Sequence, residues 1–98
     1  MFEIRTARAH CDIPCKIYDP SVAMVSALSV VRLIDLILEI EDPTSTANAA
    51  QLSRLAVEKE NQAKIVKAEV STIWGDYFKQ PQIEAYPRVH ELVHQIMQ

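Results

Sequence analysis

The sequence predicts an all-α chain, and three observations carry that prediction. Hydrophobic residues make up 49% of its 98 positions while glycine occurs once, so long loops and β-turns have little to work with. Asp-Pro occurs twice, at Asp19-Pro20 and Asp42-Pro43, each reading as an N-cap acid with proline at the first helical position. Between and beyond these punctuation points apolar residues recur at three- and four-residue intervals, the helical period. At this length the chain is one domain of modest size, which buries a smaller share of its surface than a large one and often leans on partners.

Taken in order, the first helix is expected from about Pro20 to Glu41. Its polar residues Ser29, Arg32, Asp35 and Glu39 fall on one narrow stripe, and Val22, Met24, Val25, Leu28, Val31, Ile34 and Leu38 are among the apolar residues covering the remaining circumference. A helix apolar nearly all round is expected to be buried on more than one side. A membrane span is the rival reading for Val22 to Ile40, but Arg32, Asp35 and Glu39 would lie in or near hydrocarbon, at about 2.5 to 3.5 kcal/mol each at the centre. The favoured reading is a core helix that also contacts a neighbouring subunit, with no membrane partner.

A long second helix is expected from near Pro43 to about Lys79. Leu52, Leu55, Ala56, Ala63, Val66, Val70, Ile73, Trp74 and Tyr77 form its apolar stripe, interrupted by Lys59. Gly75 is expected to loosen or break the last turn, and Trp74, Tyr77 and Phe78 read as an aromatic core. Pro81 and Pro87 bracket a turn, after which Val89, Leu92, Val93 and Ile96 give a short third amphipathic helix. That helix contains His90-Glu91-Leu92-Val93-His94, which satisfies the zinc-protease pattern H-E-x-x-H. Only four residues follow His94, which leaves no downstream third ligand, and the match reads as accidental.

The chemistry concentrates before the first helix. His10-Cys11-Asp12-Ile13-Pro14-Cys15 holds both cysteines and one of three histidines within six residues, followed by Tyr18 and Asp19-Pro20. A disulfide across so short a loop would stabilise little. A structural zinc site wants four protein ligands where three side chains lie close together. A redox metal tolerant of thiolates is the third reading, since soft sulfur donors suit nickel, copper and iron. Pro14 limits the segment's backbone freedom by fixing its own φ.

From His10 to Pro20 the chain closely resembles the metal hook of the nickel superoxide dismutase family, His-Cys-Asp-x-Pro-Cys-x-x-Tyr-Asp-Pro. Trp74-Gly75-Asp76-Tyr77-Phe78-Lys79, Glu84-Ala85-Tyr86-Pro87 and His90-Glu91-Leu92 are similar to further segments of that family. The resemblance implies a nickel ion held by His10, Cys11 and Cys15, through both thiolates, the Cys11 backbone nitrogen, and the amino group and imidazole of His10. It implies that Tyr18 and Asp12 shape the pocket where small anions approach, and that superoxide is the substrate. His10 can offer an α-amino nitrogen only if the chain begins there, so residues 1–9 are expected to be a leader removed by a processing protease. Residues 10–19 then form the hook and residues 20–98 the bundle, and the uncut chain is expected to be inactive.

The resemblance also implies an up-and-down antiparallel helical bundle, with three helices here where the family usually has four, and a homo-oligomer, the family's hexamer. Three departures stand out. Lys16 replaces a small glycine after the second cysteine. Aligned without gaps, the family's glutamate and arginine that support the axial histidine fall on Ser26 and Gln62, which bring no charge, and a shifted potential with slower turnover is expected. An impaired family member, acting as a nickel-binding or helical assembly protein, is therefore the alternative to the enzyme.

Net charge is −3 with histidines neutral. Arg5 and Arg8 against Glu3 give residues 1–9 a charge of +1, so trimming would leave −4. This balance argues against nucleic acid, which wants a basic face. Steering of superoxide would come from a local field, with Lys16 as its source, and not from the overall charge. The first nine residues lack the apolar core of a secretory signal, and two close thiols with no others suit a reducing compartment, here the cytoplasm.

Overall fold

In the computed structural model, which describes residues 17–98, the chain is helical with no strand among those residues. Helix α1 spans Ser21–Leu38, α2 Thr46–Thr72, α3 Gln80–Ala85 and α4 Val89–Met97, and a π-helical turn, Ile73–Tyr77, extends α2. Residues 1–16, which take in the expected leader and most of the expected hook, lie outside the described residues.

Local chemistry explains each boundary. Asp19 marks the entry to α1, its carboxylate accepting the Ser21 N–H at 3.0 Å, but Pro20, expected at the first helical position, stands in the capping position and the helix begins at Ser21. The second Asp-Pro behaves differently. Asp42 accepts both the N–H and the hydroxyl of Thr44, closing a tight turn, and its carbonyl accepts Asn48 Nδ2 at 2.9 Å. The start expected near Pro43 therefore moves to Thr46, capped by Ser45, whose Oγ accepts the Asn48 N–H at 3.2 Å. An aspartate that folds onto a residue two positions on makes a turn, and the next free hydroxyl takes over as cap.

Gly75 loosens the end of the long helix, as its weak helix propensity suggests. The ladder widens there to a bond from the Phe78 N–H to the Ile73 carbonyl at 3.3 Å, five residues apart. The segment between Pro81 and Pro87, expected as a turn, is the short helix α3. Pro81 sits in its first turn, where no N–H is required of it, and the Gln82 side chain accepts the Lys79 N–H at 3.0 Å.

The three longer helices form an up-and-down bundle. Pro20 and Ala23 at the start of α1 share a cleft with Val70, Ile73 and Trp74 at the end of α2, so these helices are antiparallel. Helix α4 lies against both, antiparallel to α2: Val89 and Val93 face the same cleft, and Ser71 meets Met97 farther along. Among the described residues Ala23, Val89, Val93 and Ser26 are the buried ones, and no large side chain is fully enclosed. The expectation that α1 is covered on more than one side fails within the single chain, where Met24, Val25, Leu28, Val31 and Leu38 are exposed. Among the described residues one helix, α1, is long and apolar enough to cross a membrane by length and composition.

Candidate metal centre

The part of the site that the described residues reach is the root of the hook. Tyr18 stands two residues before the capping Pro20, so where α1 starts decides where Tyr18 goes. Its ring meets the ring of Tyr77 edge-on, with centroids 5.7 Å apart and planes at 62°. Tyr77 in turn stands edge-on to Phe78 at 5.7 Å, and Phe78 to Tyr86 at 6.4 Å. A row of aromatic rings thus runs from the hook root across the π turn to the end of α3.

Tyr77 is the residue that periodicity missed. Read from spacing it belongs to the apolar stripe of α2, together with Trp74 in an aromatic core. In the structure both are 38% exposed. The π turn adds a residue to the helical ring and so shifts the register of the side chains that follow. The usable signal was the cluster Trp74-Gly75-Asp76-Tyr77-Phe78, with a weak helix former among aromatics.

Trp74 has its own partner. Its Nε1–H donates to His90 Nδ1 at 3.0 Å, and the two rings are perpendicular with centroids 5.7 Å apart. An imidazole whose Nδ1 accepts a hydrogen bond carries its proton on Nε2 when neutral, which makes Nε2 a donor and not a metal ligand. Glu91 is held by Arg88 at 3.2 Å. Two members of the H-E-x-x-H match, His90 and Glu91, are thus engaged in structural contacts. Among the described residues no group of three or more His, Cys, Asp or Glu side chains comes together to hold a metal.

Beside the hook root opens an apolar cleft of roughly 370 Å³, with Pro20, Ala23, Trp74, Phe78, Val89 and Val93 in its walls. Ser26 is buried on α1, 5% exposed, and Gln62 is tied to Glu58 through Nε2 to Oε1 at 2.9 Å. Of the site residues named from sequence, Tyr18 is among the described ones, and its ring meets that of Tyr77. His10, Cys11, Asp12 and Cys15 lie outside the described residues.

Two thiolates beside an imidazole form a soft, electron-rich group, which suits a late first-row transition metal and does not suit calcium or magnesium.

Comparison with known proteins covers both the hook and the helices. The family model for nickel-containing superoxide dismutase matches residues 5–98. The superoxide dismutase [Ni] of Streptomyces coelicolor is 40% identical over 89 residues, covering 91% of this chain and 63% of that protein. Its counterpart from Streptomyces seoulensis is 36% identical over 87 residues, covering 89% of this chain and 62% of that protein. The native 1.30 Å structure of a nickel superoxide dismutase superposes with a TM-score of 0.70 at 40% identity, over 88% of this chain and 69% of that one. The chain thus spans a little under two thirds of the length of these two curated relatives.

Proposed function

The chain belongs to the nickel-containing superoxide dismutase family, and from that premise we propose that it converts two superoxide ions and two protons to oxygen and hydrogen peroxide. The carrying observation is the family match over residues 5–98, which takes in the whole of His10–Pro20 and the helices behind it in one alignment. Cys11 and Cys15 would hold nickel through their thiolates and Cys11 also through its backbone nitrogen, with His10 supplying its imidazole and α-amino group. When bound, nickel supplies a one-electron couple between its +2 and +3 states, which thiolate and amide donors bring within reach of superoxide.

The chain's own residues do the rest. Tyr18, braced by Tyr77, borders the approach to the hook, where a phenol can offer a hydrogen bond to a small anion. Asp12 lies in the hook between the two cysteines and shapes the same pocket. Lys16 adds a cation next to Cys15, a local attraction for an anion in a chain whose net charge is −3.

Residues 1–9 act in this reading as a leader whose removal by a protease frees the His10 amino group. The family match begins at residue 5, upstream of His10, which supports a leader of this kind. The active form is an assembly of copies in a reducing cytoplasm, without nucleic acid or membrane. A second reading, a nickel-binding or assembly protein with impaired catalysis, is favoured by one observation: Ser26 is buried and Gln62 is engaged with Glu58, so neither offers a charge to an imidazole.

The test is superoxide dismutation by protein beginning at His10 and reconstituted with nickel, beside the untrimmed chain. Activity is expected only in the trimmed protein, and not in its Cys11→Ser or Cys15→Ser variants. Nickel bound by the trimmed chain without dismutation would favour the second reading. Ser26→Glu with Gln62→Arg should then raise turnover if the missing charges are the cause.

A further inference from the structure

The loosest stretch of the long helix is also the one that carries Tyr77. Gly75 stands at the centre of the π turn, and a side chain there would meet nothing within 4 Å, so the glycine loosens the backbone without making room for a neighbour. The bond from the Phe78 N–H to the Ile73 carbonyl that closes the turn is 3.3 Å long. Such a turn needs a hold from outside itself. Trp74, in the same turn, supplies one by donating its Nε1–H to His90 Nδ1 on α4 at 3.0 Å. His90 is itself held in place, because Val89 and Val93 on either side of it are the buried residues of α4. Its imidazole is exposed, so solvent protons reach it.

We infer that His90 is a positioning residue for superoxide dismutation by this chain: as the neutral imidazole it latches Trp74, and with it the π turn that sets Tyr77 against Tyr18, and on protonation it lets go. The catalytic consequence rests on the superoxide dismutase reading, whereas the latch itself does not. An imidazolium carries an N–H on both ring nitrogens, so Nδ1 has no lone pair left to accept the indole proton. Two N–H groups facing each other at that distance repel, and the turn loses its tie to α4.

The surrounding charges leave this bond to the imidazole. Asp76 and Tyr77 stand in the π turn, Lys67 and Glu69 in the last turns of α2, and Asp19 at the entry to α1. Glu84 and Tyr86 stand around the end of α3, and Arg88, Glu91 and His94 on α4 or at its start. Glu91 is paired with Arg88 at 3.2 Å. The indole has a single N–H, and His90 takes it.

Trp74 is the single tryptophan, so its emission reports the latch in the full, nickel-free chain. From about pH 8 to about pH 5, the span in which an imidazole ordinarily gains its proton, wild-type emission should shift in one step. Over the same span exchange of the Phe78 amide, relative to its intrinsic rate, should rise several-fold. His90→Asn puts an oxygen that does not titrate in place of Nδ1, and should keep the high-pH emission and slow exchange throughout. His90→Phe should show the open form at every pH, and His94→Ala should titrate as the wild type does. In trimmed protein loaded with nickel, the ratio of wild-type to His90→Asn kcat/KM should fall several-fold from about pH 8 to about pH 6. Emission that does not move, or that still moves in His90→Asn, overturns the latch. Emission that moves while Phe78 exchange and the kcat/KM ratio stay level overturns the positioning role. Trimmed, nickel-loaded protein inactive at every pH, with the emission step intact, would overturn the catalytic consequence together with the superoxide reading and leave the latch standing.

Discussion

Replacing Tyr77 with leucine removes the ring against which Tyr18 stands while keeping apolar bulk at the site. An edge-to-face aromatic pair is worth about 0.5 to 1.5 kcal/mol beyond the area it buries, and the 5.7 Å separation at 62° lies well inside that geometry. Tyr77 also touches Phe78, so the single substitution mixes two contacts. A double-mutant cycle with Tyr18→Leu isolates the pair, and urea unfolding followed by helical circular dichroism should return a coupling of about 0.5 to 1.5 kcal/mol. If Tyr18 must be held in place to meet the incoming anion, the same energy appears in the trimmed, nickel-loaded protein as a loss of about two- to twelve-fold in kcat/KM. A coupling below about 0.3 kcal/mol would refute the bracing, because effects of that size are what independent sites give. Intact coupling with unchanged kcat/KM would refute the link between bracing and approach.

Four further outcomes are expected. His90→Phe keeps a ring but removes the acceptor for Trp74, and should cost about 1 kcal/mol in unfolding and shift the emission of this single tryptophan. His94→Ala should leave both unchanged, and dismutation with them. Ser45→Ala removes the cap of α2 and should destabilise the protein by about 1 kcal/mol, read from urea midpoints. Hydrogen bonds from the Thr44 side chain, then its backbone, hold the Asp42 carboxyl below its ordinary value of 3.8. A depressed carboxyl stabilises the fold fully above that value and loses its contribution as the pH falls through and below it. The difference in melting temperature between wild type and Asp42→Asn should therefore narrow on acidification.

The bundle was legible in the sequence because helices announce themselves locally. Single-residue signals such as Asp19-Pro20, Gly75 and the Val89 to Ile96 spacing each act over one or two turns, and each produced the element expected. The misses arose where two local signals competed. Asp42 was free either to cap a helix or to fold onto Thr44, and Ser45 three residues on decided between them. Pro81 was free either to break a helix or to open one, and Gln82 reaching back to Lys79 opened it.

For the proposed site, the expected donors and their order are read from His10, Cys11 and Cys15, because metal preference follows donor chemistry and needs no fold to be read. Residues that approach from elsewhere in the chain left no such mark. Tyr18 and Tyr77 are 59 positions apart, and their contact exists because α1 and α2 run antiparallel and the π turn sets the register at the end of α2. The Trp74 bond to His90 likewise depends on α4 lying against α2. The two apolar sides of α1 looked equivalent in sequence, and packing alone chose which one α2 covers and which one faces outward. Helical period and donor chemistry are properties of neighbouring residues, which the sequence determines by itself. Which distant side chains meet is set by how the helices pack, and that the tertiary structure decided.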